Sequence, residues 1–164
     1  MSAGFVNGIV QTNLTGLVYA NGTTAHATDT DYNSNIFTPT IAGSTTAGTT
    51  TYTTQAGQFT KIGNRIFFDI GIVFTATTGI GDIQVQSLPY TVNDSDNVSI
   101  AVAVTSNIPW PNNQGTYLTA QIVPNSTYLV ITCYHNTNAA ANLQMPSGTG
   151  TYSITVSGSY QSAS

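Results

Sequence analysis

Gly57-Gln-Phe-Thr-Lys-Ile62, Gly63-Asn64 and Arg65-Ile-Phe-Phe-Asp-Ile-Gly-Ile-Val-Phe74 decide the fold class. Two runs rich in β-branched and aromatic residues flank a Gly/Asn pair that tolerates positive φ, the sequence mark of a β-hairpin. Side chains alternate across a strand, so Ile66, Phe68, Ile70, Ile72 and Phe74 share one face and form a core stripe. Phe67, Asp69, Gly71 and Val73 share the other. That second face is more apolar than water requires, so it is expected to pack against another sheet or another subunit.

Outward from this hairpin the same chemistry continues. Val98-Ser-Ile-Ala-Val-Ala-Val104 places Val98, Ile100, Val102 and Val104 inward and leaves a flat face of small residues. Thr116–Val123 and Thr127–Tyr134 flank Pro124-Asn-Ser126 as a second hairpin, with turn-forming residues between them. Gly150–Tyr160 alternates almost to the last residue, and weaker runs lie near Asp82–Ser87 and Ala141–Gln144. About eight strands separated by turns predict an all-β, antiparallel, jelly-roll-like β-sandwich. Residues 1–35 read as an irregular lead-in with short strands, residues 36–164 as the sandwich, and Ala42–Thr51 as an exposed loop, within a single domain overall.

Composition sets the surface chemistry. Of 164 residues only 5% are charged, against ~25% in ordinary globular domains, while 40% are hydrophobic. Water must be met by Thr, Ser, Asn and Gln, whose hydroxyls and amides hydrogen-bond without charge. Lys61 and Arg65 are the only cations and the net charge is −4. Neither a phosphate-binding surface nor a basic membrane-binding face can be assembled from them, so nucleic acid and membrane insertion are not expected. No apolar run approaches the ~18 residues of a spanning helix, and the N-terminus lacks the features of a secretory signal. The lone Cys133 sits in a β-prone run and reads as a small buried apolar side chain, fitting a chain folded in a reducing cytosol.

Catalytic equipment is not visible. Glu is absent, and the six Asp are scattered at 29, 31, 69, 82, 94 and 96 without a pair suited to glycoside hydrolysis. Asn93–Asn97 alternates Asn and Asp but lacks the glycine and closing Glu of a helix-loop-helix calcium site. His26 and His135 have no neighbouring ligands at zinc spacing. The expectation is therefore a non-enzyme with neither cofactor nor metal. Recognition chemistry is better supplied: nine Tyr, one Trp and many amides offer flat amphipathic rings and forked hydrogen-bonding groups. Asn107-Ile-Pro-Trp-Pro-Asn-Asn-Gln114 is the best local candidate, with Trp110, Asn112, Asn113 and Gln114 as ligand-binding residues on a proline-stiffened loop. The alternative is that Trp110 plugs one end of the sandwich.

Phe37-Thr-Pro-Thr-Ile, Ala47-Gly-Thr-Thr-Thr-Tyr52, Gly57–Phe68 and Ser87-Leu-Pro-Tyr90 resemble a segment of tail-fibre and structural proteins of phages and large DNA viruses, over about a third of the chain. The resemblance implies a jelly-roll head domain similar to complement-type and tumour-necrosis-factor-like trimers. It further implies a homotrimer in the virion, assembled in the host cytoplasm beside other virion proteins and attaching to a host surface glycan or protein. It marks no binding residues. Competing readings are a structural capsid or decoration protein without receptor binding, a monomeric carbohydrate-binding module dependent on Trp110 or exposed Tyr, and, least supported, a glycan hydrolase or esterase.

Overall fold

The computed structural model describes residues 17–20, 25–28, 32–94, 103–110, 117–134 and 139–163, of which 17–20, 25–28 and 103 are described by their backbone alone. Twelve strands follow in chain order: β1 (Leu17–Ala20), β2 (Ala25–Thr28), β3 (Tyr32–Phe37), β4 (Thr40–Gly43), β5 (Thr50–Ile62), β6 (Arg65–Thr77), β7 (Ile83–Gln86), β8 (Ala103–Ser106), β9 (Tyr117–Ile122), β10 (Tyr128–Tyr134), β11 (Ala141–Asn142) and β12 (Tyr152–Gln161). β1 and β2 pair as an antiparallel ribbon. The other ten form two antiparallel five-stranded sheets packed as a β-sandwich.

One sheet has the order β3-β5-β6-β12-β8. In the other, β4 pairs with β7 and β7 with β10; β9 runs along Leu129–Tyr134 of β10, and β11 pairs with Thr132 and Cys133. The predicted hairpin forms as read: β5 and β6 pair over their length, and Gly63 takes φ 57° in the turn. The second hairpin also forms, with Asn125 at φ 56° between β9 and β10, where its short polar side chain tolerates the left-handed region.

Ile66, Phe68, Ile70, Ile72 and Phe74 are all buried, each at 2% exposure or less. Facing them from the second sheet are Ile83, Val85, Ala120, Ile122, Leu129, Ile131 and Cys133, and β12 adds Ile154, Val156 and Tyr160. Each large side chain removed from water in this way stabilises the fold by roughly 1.5–3 kcal/mol. That stripe ties the long hairpin to the opposite sheet. The C-terminus is held by Ser162, whose backbone N–H and hydroxyl both donate to the Asn64 carbonyl in the hairpin turn, at 2.8 and 3.2 Å.

The two strands beyond the expected eight, β3 and β4, lie within Tyr32–Gly43. β3 was hidden because an edge strand needs little apolar character. Its inward positions are Asn33, Asn35 and Phe37, and only Phe37 packs against the core. Asn35 instead closes the edge locally, its side-chain oxygen accepting the Ile36 N–H at 2.8 Å. Likewise Thr50 and Thr51, read as the end of a loop, belong with Tyr52–Ala56 to a Thr-rich extension of β5. Of Val98–Val104, the described part is Ala103 and Val104; Val104 pairs with buried Val156 and packs against the core, as its inward assignment requires.

Candidate functional site

The period of two places Tyr32, Ser34 and Ile36 of β3 outward, with Ala56, Gln58, Thr60 and Ile62 of β5 and Phe67, Asp69 and Gly71 of β6. Strand register aligns them in rows. Tyr32 lies opposite Ile62; Ser34, Thr60 and Phe67 form the next row with Ser159; Ile36, Gln58, Asp69 and Ser157 the next; Ala56, Gly71 and Thr155 the last. The turn end of this face exposes apolar side chains beside Arg65, which lies opposite Ile62: Phe67 shows 48% of its surface, Ile62 47% and Tyr32 38%. The far end is hollow.

That hollow is a groove of about 660 Å³ over Ala56 and Gly71. Its floor is low because Gly71 has no side chain, and a Cβ built there would meet nothing within 4 Å. Ile36, 80% exposed, stands on the edge-strand side, while Thr155 and Ser157 lie across on β12. Gln58 donates from Nε2 to Asp69 Oδ2 at 3.2 Å. These two residues also line a smaller hollow of about 200 Å³ with Ser34, Thr60 and Phe67. They therefore form the divide between the groove and the apolar end.

The groove's inner wall explains a second glycine. Phe37 turns inward at the end of β3 and its ring lies where a Cβ on Gly57 would stand, with ring atoms 2.8–2.9 Å from that position. Gly57 lets β3 carry an aromatic ring against the core without pushing β5 away. Gln55 anchors the same region by donating from Nε2 to the Pro39 carbonyl at 2.9 Å.

On the outward side of the opposite sheet, Tyr117 and Tyr134 face each other in register, with rings stacked at 5.1 Å and 3°. Beside them Thr132 donates to Asn142, and Asn142 and Gln144 both donate to the Asp82 carboxylate. That network satisfies its members internally, and the two amides already occupy both carboxylate oxygens. Asp69 takes one amide, Gln58, on Oδ2 among the described residues, and a carboxylate has further acceptor capacity.

Of the residues expected to bind, Trp110 is half-buried and packs against the core cluster, the placement of a plug. Asn112, Asn113 and Gln114 lie outside the described residues, as do His135, Asp29, Asp31 and Asp96. Among the described residues no three His, Cys, Asp or Glu side chains gather. The groove residues Ile36, Gln58, Asp69, Gly71 and Thr155 come from four strands, and sequence reading did not bring them together. One signal was available: a glycine inside a strongly apolar strand, which weakens the strand and marks a close approach by something else. No protein-family model, curated protein or solved structure matches the chain.

Proposed function

We propose that the chain is the head domain of a viral or phage fibre, a homotrimer that attaches the virion to a glycan or protein on the host surface. The observation that carries this reading is the outward face of the β3–β5–β6 region, where four of the exposed large apolar side chains among the described residues, Tyr32, Ile36, Ile62 and Phe67, share one sheet face. Exposed apolar surface of this kind marks association, and a closed symmetric oligomer buries it without leaving sticky ends. The groove beside it supplies a place for recognition, and the resemblance of Phe37–Tyr90 to fibre proteins supports the same assignment.

Light scattering behind size exclusion tests the reading. A mass near three times 17.1 kDa is the expected result. A monomer at micromolar concentration overturns it and makes the chain an isolated binding module.

A further inference from the structure

We infer that the groove over Gly71 and Ala56 is a binding site for an uncharged saccharide. The inference rests on the attachment reading above and names the ligand that reading leaves open.

Gly71 is the starting point. Glycine inside a strand costs stability, because it loses the most chain entropy on folding and packs nothing. Here no inward neighbour requires it: its position faces outward, its φ is not positive, and the space above it is open. Gly57 is forced by Phe37, whereas Gly71 has no such partner among the described residues. The groove itself, at about 660 Å³, falls in the range of about 300–1,000 Å³ typical of small-ligand sites.

The lining states the ligand's chemistry. Among the described residues that line it Asp69 is the only charged one and no Lys or Arg contributes, so a carboxylated, sulfated or phosphorylated ligand would enter against uncompensated repulsion. What remains is a carboxylate acceptor, the Gln58 amide and the Thr155 and Ser157 hydroxyls around a floor of Ala56 and Gly71. A polyol with an apolar ring face meets each of these demands. Its hydroxyls donate to Asp69 and exchange hydrogen bonds with Gln58, Thr155 and Ser157; its C–H face lies on the glycine floor and against Ile36. A carboxylate accepting from vicinal hydroxyls makes charge-assisted bonds, stronger than neutral ones.

Fluorescently labelled chain applied to an array of neutral and sialylated oligosaccharides tests this, with solution mass measured on the same samples. Retention on neutral glycans without need for sialic acid is expected. Gly71→Val raises the groove floor at a position where a Cβ meets nothing within 4 Å, and Asp69→Asn removes the acceptor charge while keeping shape. Each is expected to weaken retention at least about tenfold, the scale of a lost charged hydrogen bond or a blocked site, with mass held and melting temperature not lowered. Failure of every neutral glycan to bind overturns the inference, as does undiminished binding by Gly71→Val. A change of mass in Gly71→Val also overturns it, because a second copy of the chain then occupies the groove. The two readings fail separately: a monomer that binds neutral glycans removes the trimer and leaves the groove, whereas a trimer that ignores them does the reverse.

Discussion

The hydroxyl of Tyr160 donates to the Tyr90 carbonyl at 2.9 Å and accepts the Tyr90 backbone N–H at 3.2 Å. One fully buried phenol on β12 thus holds both backbone groups of a residue in the segment that follows β7. Tyr52 does the same for Ile41, accepting its N–H at 2.7 Å and donating to its carbonyl at 3.4 Å. In each case a tyrosine supplies the hydrogen bonds that a neighbouring strand would otherwise provide, and its ring stays in the core or packs on it.

Tyr160→Phe keeps the ring and removes the clamp. The Tyr90 groups are then left without that partner in a half-buried setting, and stability is expected to fall by about 1–3 kcal/mol. Denaturant titration with an unchanged m-value would show the loss as a lower midpoint; an unchanged midpoint would mean that the hydrogen bonds contribute nothing net.

The two strand glycines are expected to respond in opposite directions. Gly57→Ala drives a methyl into the Phe37 ring and should cost about 1–3 kcal/mol, in the range of overpacked cores. Phe37→Leu in that background should recover part of the loss. Gly71→Ala meets open space and should stabilise by about 0.5–1 kcal/mol, through reduced freedom of the unfolded chain. Thermal melts of the three variants read the contrast directly.

Phe67→Ser and Ile62→Ser remove exposed apolar surface and no core contact, so the folded subunit should survive. The proposed trimer should not. Light scattering is expected to give 17.1 kDa for the double variant, with the circular dichroism of the parent. Persistence of the parent's mass would place the subunit contact elsewhere on the molecule.

Alkaline pH is expected to unfold the protein earlier than its few charges suggest. Burial raises the Cys133 thiol and the Tyr160 phenol above their ordinary values. In both, the native state holds its proton more tightly than the unfolded chain does. Their contribution is fully present below the unfolded values and is lost as pH rises above them, beginning near pH 9 for the thiol. Melting temperature should therefore fall through that window, and Cys133→Ala should shift the onset to higher pH. A thiol reagent should label Cys133 only after unfolding.

What the sequence disclosed follows from how strongly each strand needs the core. β6 announces itself because five apolar residues repeat at a period of two and all are buried. β12 and the β9–β10 hairpin are legible for the same reason, with turn residues confirming the latter. β3 and β4 were missed. The first is an edge strand that buries little, and the second is so short that Ile41, Ala42 and Gly43 form no period. The groove was illegible for a different reason. Ile36 and Ser157 meet Gln58 and Asp69 only through a register that links four strands, and no local pattern encodes that alignment. Asp69 was visible in the sequence as a mid-strand carboxylate, but its partner Gln58 comes from across the hairpin.

The Asn35 cap on the Ile36 N–H bears on how the edge of the sheet meets a neighbouring molecule. An edge strand with free backbone donors invites the next molecule to extend the sheet, and nothing in that geometry limits the number that join. Here a side chain occupies one such donor, next to the end of β3, so a newcomer pairing there would have to displace it. Growth along the hydrogen-bonding direction is discouraged at its first step, leaving contact between faces as the easier mode of assembly. A closed symmetric contact between faces limits a particle to a defined size, whereas strand pairing at an edge does not.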